Sequence, residues 1–384
     1  MSPRDGMEAR AAFSGPGCWI VAQTMLPRLL IISLSALLAL GLPLAGPSRA
    51  QEPISPTAEG SALGVGEAIE ALITQGIKLF TNEHLTEALA TFQKIIDRNE
   101  EDPKGYFYKA AAYGVTMMDY KTRAFEGEFN HYIELALAKA GDRVKMNNND
   151  AEAHFYLGGA YGYRGIDKTM VGSWLGAFLD GTRGIFHLQK AVALNEDIYD
   201  AYYGIGSYHY WVSAKASILW FLPFFADERA RGIEEVRLAS TKGRFARYEA
   251  KASLVTVLMN EARWKEALTL AEEMLAEFPN DLSSRIQRGM ILAELGRWSE
   301  VERDFQRVKD FLATRPFRGY MRELEADYYL ALAAHRQHHS RPSFERCVRV
   351  RELMGRHRTR PYIEGLSELE QRARELCGAP TIPT

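Results

Sequence analysis

Three related nine-residue segments recur at a fixed interval and decide the fold. They are YFYKAAAYG from Tyr106, HFYLGGAYG from His154 and YYGIGSYHY from Tyr202, so that each begins 48 residues after the one before. Aromatic residues continue at helical spacing through the glycines and alanines, which favours helices over loops. A repeat of this size is typical of proteins whose units stack on one another.

A shorter repeat of 34 residues flanks these segments, from Leu72 to Tyr106 and from Ala267 to Val301. The longer interval of 48 equals this unit plus 14 residues. We therefore expect each central unit to carry about fourteen extra residues between its two helices, within 167–181 and 214–228. The second-helix positions also recur 48 residues apart: Gly184, Leu188 and Ala191, then Gly232, Val236 and Ala239.

Other positions match a known repeat. Gly76, Leu79, Ala88 and Phe92 follow the spacing G-x2-Y-x8-A-x3-F, with Leu in place of Tyr; Trp264, Ala267, Ala271 and Pro279 give half a unit; Gly289, Leu292, Gly296, Trp298, Val301, Phe305 and Val308 give almost a whole one. This part of the chain resembles the tetratricopeptide repeat (TPR) family. The resemblance implies an all-α fold over residues 67–378, a right-handed α-solenoid of helix hairpins whose central units are lengthened by inserts between the helices.

The region from Gly204 to Ser240 is also similar to the tetratricopeptide repeat protein 39 family. The residues that carry this likeness are Gly204, Gly206, Ser213, Ile218, Leu219, Phe221, Asp227, Arg229 and Gly232. Members of that family are intracellular. The leader described next departs from that pattern, so their location is not carried over.

The N-terminal fifty residues have the pattern of a targeting sequence. An apolar run from Leu29 to Leu44 follows Arg28 and precedes Ser48-Arg49-Ala50, the pattern of a secretory signal peptide. We expect cleavage after Ala50 and export to a bacterial periplasm or the medium, and an uncleaved membrane anchor is the alternative. Residues 1–24 resemble a misassigned upstream start, residues 51–66 a flexible lead-in and residues 379–384 a tail.

Charge and motifs exclude several function classes. The 384 residues carry 47 Lys and Arg against 49 Asp and Glu, and a nucleic-acid binder usually has a clear basic excess. No Walker loop, nucleophile elbow, dinucleotide fingerprint or paired zinc motif occurs. His335 and His339 are four residues apart but have no H-E-x-x-H glutamate. We predict no enzymatic activity, no cofactor and no metal; an enzyme on a helical scaffold is the weaker alternative.

The first helix of each unit supplies the candidate partner site. In the TPR family the residues that flank the packing positions of this helix line the concave surface. An aromatic, weakly charged groove suits an extended peptide or a helix of a partner protein. The oligomeric state is left open. The predicted contact residues are Lys104, Phe107, Phe155, Tyr163, Tyr203, Ser207, Tyr210 and Trp211.

A second function class rests on the apolar insert at 216–226. Its run ILWFLPFF contains Pro223, which disfavours a straight helix. The insert is either a third packing element of its unit or an exposed anchor for a membrane surface or a partner. The anchor residues would be Leu219, Trp220, Phe221, Phe224 and Phe225.

The C-terminal region adds positive charge. From His335 to Arg360 there are eight arginines and only two glutamates. This stretch is either a solvated helix face or a contact for an anionic partner. A peripheral membrane protein that uses the insert and this region is therefore the alternative to a protein-binding scaffold.

Two cysteines, Cys347 and Cys377, remain after removal of a leader that contains Cys18. An exported protein meets conditions that permit disulfides. We expect them to form a disulfide that closes a loop of about thirty residues; two unpaired thiols are the alternative.

Overall fold

The computed structural model describes residues 56–216, 227–356, 363 and 365–378, and these residues are helical with no strand among them. The predicted all-α solenoid is confirmed. The described helices are α1 (Pro56–Thr81), α2 (Leu85–Arg98), α3 (Pro103–Tyr120), α4 (Glu126–Met146), α5 (Ala151–Met170), α6 (Trp174–Leu194), α7 (Ala201–Ala216), α8 (Arg229–Lys242), α9 (Arg247–Asn260), α10 (Trp264–Glu277), α11 (Leu282–Glu294), α12 (Trp298–Ala313), α13 (Tyr320–Arg336), α14 (Ser340–Arg356) and α15 (Leu366–Cys377).

Consecutive helices pair as hairpins that stack in two layers. The odd-numbered helices from α3 to α11 contact one another in succession and form the inner layer, whereas the even-numbered helices pack outside them. Two helices of the inner layer, α3 and α5, begin after an aspartate whose side chain caps the helix N-terminus. Asp102 accepts a hydrogen bond from Lys104 N at 2.9 Å, and Asp150 accepts one from Ala153 N at 2.9 Å. Such N-caps satisfy amide groups that have no partner within the helix.

Small residues set how closely the two helices of a unit approach. A Cβ added to Gly289 in α11 would lie 2.7 Å from the ring of Phe305 in α12. In α7 and α8 two glycines meet instead, since a Cβ at Gly206 would lie 2.6 Å from the carbonyl oxygen of Gly232. The same happens between Gly158 of α5 and Gly184 of α6. The central hairpins therefore pack backbone against backbone.

The structure corrects the predicted place of the first insert. The extra residues do not form a separate element between helices; they lengthen α5 to 20 residues and α6 to 21, joined by a tight turn at Val171, Gly172 and Ser173. A continuous helix satisfies its backbone groups internally, which a fourteen-residue loop does not. The second insert lies largely within 217–226, outside the described residues.

At the two ends of the solenoid the sequence predicts a flexible lead-in and a disulfide. Helix α1 begins at Pro56, so most of the predicted flexible lead-in is helical, with proline in the first turn, where its missing N–H costs nothing. At the other end the structure joins Cys347 of α14 to Cys377 of α15 by a disulfide, with 4.9 Å between the Cα atoms.

None of the described helices has the length and apolar character needed to cross a membrane.

Candidate binding site

The predicted partner residues come together on the inner layer, but much of their surface is covered. The rings of Phe107 and Phe155 lie 6.4 Å apart, and those of Phe107 and Tyr163 lie 5.6 Å apart. Phe107 is only 6% exposed and Tyr210 is fully buried. These two residues are therefore corrected from groove to core, because a partner cannot reach them without displacing their neighbours.

The polar members of the predicted set also have partners within the chain. Lys104 Nζ lies 2.7 Å from Glu152 and 3.1 Å from Asp102. Tyr163 and Tyr203 both donate hydrogen bonds to Glu249, at 2.5 and 3.3 Å.

The two remaining members lie on α7. Ser207 Oγ is buried and has no hydrogen-bond partner among the described residues. Trp211 is partly buried beside Tyr210, with 4.9 Å between the ring centroids. The eight residues as a group form an internal surface, and their partner-binding role stays a prediction.

The interior is covered because the first units of the solenoid contact residues some 200 positions later across it. Gly319 N donates to Tyr120 O at 3.0 Å, and Arg322 Nε donates to Asp119 O at 2.7 Å across 203 residues of sequence. A Cβ at Gly319 would lie 1.9 Å from the carbonyl oxygen of Lys121. This close approach requires glycine, since a side chain would collide with backbone that cannot move aside.

The turn between α1 and α2 takes part in the same closure. Glu83 accepts hydrogen bonds from Tyr120 Oη at 2.6 Å and from Leu282 N at 3.3 Å. Its carbonyl oxygen accepts a third from Arg315 Nη2 at 3.2 Å. Phe317 lies with its ring 5.0 Å from that of Tyr120. Glu83 therefore joins the first unit to residues some 200 positions later.

Four carboxyl groups, those of Glu83, Asp119, Glu249 and Asp281, face this interior. Burial raises the pKa of Glu83 to about 8, opposed in part by the hydrogen bond from Tyr120. Burial likewise raises the pKa of Glu249 to about 7, of Asp281 to about 7 and of Asp119 to about 6. The negative charge of Asp119 raises the pKa of each of the other three. Burial therefore favours the protonated form of each of these four carboxyl groups.

An accessible recess among the described residues lies beside α1, and we call it the α1 cleft. Its volume is about 860 Å³ and it is open to solvent. One face of α1 forms one wall, and residues at the ends of α8 and α10 form the other. Its lining residues are Glu67, Glu70, Ala71, Thr74, Gln75, Lys78, Leu79, Asn82, His84, Arg244, Glu277 and Phe278.

Two cross-links bound the cleft. Arg244 and Glu70 form a two-contact ion pair, at 2.7 and 2.5 Å, and Asn280 N donates to Asn82 Oδ1 at 3.4 Å. Beneath the cleft, Ile77 packs against Tyr248 and Phe278. The walls are therefore fixed relative to each other by polar contacts and by an apolar base.

Sequence reasoning missed the α1 cleft. Glu67, Glu70, Thr74 and Lys78 recur at helical spacing, so the polar face of α1 can be read from the sequence. The opposite wall, with Arg244 and Glu277, cannot, because it comes from units far along the chain. No group of three or more His, Cys, Asp or Glu in the described residues has the arrangement of a metal site.

The two other sequence candidates have different outcomes. The anchor residues Leu219, Trp220, Phe221, Phe224 and Phe225 lie outside the described residues. In the Arg-rich region, Arg346 pairs with Glu302 at 2.7 Å and Arg349 pairs with Asp327 at 3.0 Å. Arg351 donates to Cys377 O at 2.8 Å. These intramolecular partners favour a structural role for this face over an anionic partner.

Comparison with known proteins gives structural likeness only. No protein-family model and no curated protein matches the chain. Among solved structures, YrrB, a TPR protein with an unusual peptide-binding site, is similar at 17% identity and a TM-score of 0.41, covering 62% of this chain and 98% of that one.

A thermophilic TPR protein of Thermus thermophilus is similar at 16% identity and a TM-score of 0.38, over 59% of this chain and 99% of that one. Cut9 in complex with Hcn1 is similar at 13% and 0.49, over 79% of this chain and 55% of that one. At these values the likeness carries no inference about binding.

Proposed function

We propose that this protein is a non-enzymatic scaffold that holds an extended, charged segment of a partner protein in the α1 cleft. The observation that carries the proposal is an open recess of about 860 Å³ with charges of both signs on its walls. Recesses of several hundred Å³ with a few convergent polar groups are the usual form of binding sites.

The lining of the α1 cleft suits a peptide. Gln75 presents an amide group, and Asn82 presents the NH2 of an amide whose oxygen accepts from Asn280 N; both can pair with the main chain of an extended segment. Lys78 and Glu277 are exposed and carry opposite charges. Ala71 and Leu79 supply apolar contact between these polar groups.

The α1 cleft differs from the groove predicted on the inner layer, since none of the eight predicted residues lines it. Phe107 and Tyr210 are buried in the core, while one face of α1 lines an open recess that a partner can reach. The leader-like segment before Ala50 supports binding outside the cytoplasm. N-terminal sequencing of the exported protein tests that location, and Gln51 is the expected first residue.

Selection from a displayed random-peptide library tests the proposed binding. We expect selected peptides to bind the wild-type protein, and Ala71→Trp, which fills the cleft, to raise their Kd at least about tenfold. Ala90→Trp is the matched control, because Ala90 is an exposed alanine on α2 away from the cleft. Equal loss in both variants, or peptides that bind Ala71→Trp as well as wild type, would contradict the proposal.

A further inference from the structure

The turn between α1 and α2 holds the first unit against much later units, and we call it the clasp turn (residues 82–84). The Glu83 carboxyl accepts a hydrogen bond from Leu282 N at 3.3 Å, and the Glu83 carbonyl oxygen accepts one from Arg315 Nη2 at 3.2 Å. Leu282 begins α11, and Arg315 lies just after the end of α12. The clasp turn therefore closes a seam between the first unit, formed by α1 and α2, and the unit formed by α11 and α12.

The titratable and charged groups that face Glu83 come from three other elements. Tyr120 of α3 donates to the Glu83 carboxyl at 2.6 Å, and Asp119 on the same helix faces it as a second acid. Asp281, just before α11, is a third acid. Arg315, just after α12, brings a positive charge to the same place. The closed seam therefore brings together acids from three different units.

Further cations face the two aspartates and only partly offset the negative charge. Burial raises the pKa of Asp119 to about 6, although the positive charges of Arg322 and Lys121 lower it. Burial also raises the pKa of Asp281 to about 7, with Arg285 close enough to interact with it. At both positions burial outweighs the neighbouring cations.

The space beside the Glu83 carboxyl leaves little room for water. The recess there, whose lining includes Glu83, Asp119, Tyr120 and Arg315, has a volume of about 20 Å³, which is close to the minimum for one water molecule. Burial raises the pKa of Glu83 to about 8. Ionisation would place its negative charge near two other acids with little water to screen it. The closed seam therefore favours the neutral carboxyl over the carboxylate.

We propose that the clasp turn is a pH-sensitive catch, which releases the first unit from α11 and α12 when Glu83 ionises. Movement of the turn into solvent hydrates the carboxylate and separates it from the acid of the later unit. Two other polar links across the seam are weak. The Arg244–Glu70 pair is exposed, and Asn280 N donates to the Asn82 side chain at the long distance of 3.4 Å.

Release of the first unit would change the α1 cleft, since α1 forms one wall and the ends of α8 and α10 form the other. The contact of Ile77 with Tyr248 and Phe278 beneath the cleft serves as the pivot, and the contacts between α3 and α13 stay in place. Walls that have separated do not contact one peptide together, so peptide binding should weaken as the pH rises. This last step rests on the proposed function, whereas the release itself does not.

A distance across the seam tests the release. Spin labels on Ala90→Cys in α2 and Ala276→Cys in α10, both exposed positions outside the cleft, report this distance by pulsed electron paramagnetic resonance. The chain from Gln51 suits the labels, because its own two cysteines form the disulfide. The released fraction should rise from about pH 5 and level off above about pH 8, since burial raises the pKa of Glu83 from 4.5 to about 8. The pair Ala276→Cys and Ala313→Cys, both in later units, should show no change.

Two variants assign the release to Glu83. Glu83→Gln stays neutral and should keep the distance across the seam at its pH 6 value up to pH 9. Glu87→Gln on α2, whose side chain is 60% exposed, should open as wild type does. The proposal is overturned if the wild-type distance is the same at pH 6 and pH 9, or if Glu83→Gln lengthens as much as wild type. Lengthening with loss of the helical circular dichroism signal also overturns it, because the chain then unfolds.

Peptide binding in the same buffers separates this inference from the proposed function. A selected peptide should bind wild type at least about tenfold more weakly at pH 9 than at pH 6, and should bind Glu83→Gln equally at both. Binding that is independent of pH, together with a fixed distance, would refute the release and leave the binding proposal standing. A distance that lengthens while no peptide binds would refute the binding proposal and leave the release standing.

Discussion

In the unit formed by α11 and α12, Gly289 faces the ring of Phe305, whereas in α7 and α8 Gly206 faces Gly232. In the first arrangement a large side chain fills the space between the two helices. In the second arrangement the two backbones are in direct contact and leave no such space. Regular units meet other units across the interior, while the lengthened α5–α6 hairpin projects apolar residues that nothing in the described structure covers. The same repeat pattern thus produces units that contact one another across the interior and a lengthened hairpin whose apolar residues are exposed.

The largest expected difference between these regions comes from truncating one phenylalanine in each. Phe305 is fully buried and stacks on Tyr329 with 4.4 Å between the ring centroids. We expect Phe305→Ala to lower the free energy of unfolding by about 3 to 5 kcal/mol. Phe178, at 57% exposure, should change it by less than about 0.5 kcal/mol. Urea denaturation measures both, and similar losses would mean that Phe178 is covered in solution.

A smaller effect should distinguish backbone contact from open space. A Cβ at Gly206 would lie within 2.8 Å of backbone and Cβ atoms of α8, so Gly206→Ala should destabilise the protein by about 1 to 3 kcal/mol.

Gly162 in α5 is the control, because a Cβ there would meet nothing within 4 Å. Gly162→Ala should therefore stabilise the helix by about 0.5 to 1 kcal/mol. If both variants were stabilising, the backbone contact of α7 and α8 would be refuted.

The smallest expected effect concerns the pH dependence of closure. The pKa of Glu83 is raised by burial to about 8 in the folded protein from 4.5. The stability that its protonated form contributes is therefore complete below pH 4.5 and is lost as the pH rises through 8. Asp119, Glu249 and Asp281 act in the same direction.

Glu83→Gln removes this titration and should leave the free energy of unfolding less dependent on pH, by an amount on the order of 1 kcal/mol between pH 5 and 9. Melting temperatures across this range, with Glu87→Gln as an exposed control on α2, measure the effect. Parallel curves for Glu83→Gln and wild type would contradict the assignment of Glu83 to the interior.

Local patterns in the sequence carried much of the architecture. The spacing of Gly76, Ala88 and Phe92 predicts a packed helix pair, and a Cβ at Gly76 would indeed lie 2.3 Å from the Phe92 ring. The same logic misplaced the first insert, because helical spacing through Trp174 and Phe178 is compatible with either a separate element or a longer α6. Length alone does not decide between them.

The candidate site was less predictable than the fold. The position of Phe107 and Tyr163 on the first helix of a unit predicts a groove site. That position correctly places both residues in the inner layer. It does not determine whether a partner can reach them. Glu83 gave no sequence signal, since a single glutamate in a turn resembles any solvated carboxylate. Its role depends on Tyr120 and Leu282, which other units bring to it.

The repeat, the helical class and the close packing of small residues can all be read from local sequence patterns, because each depends on positions within a few turns of one another. The contact of Gly319 with Tyr120, the burial of four carboxyl groups and the opening of the α1 cleft follow instead from how distant units come together. These features depend on the rotation and rise that accumulate from unit to unit along the solenoid. A small change in the rotation or rise of each unit moves distant units together or apart. No local sequence pattern encodes the total rotation and rise.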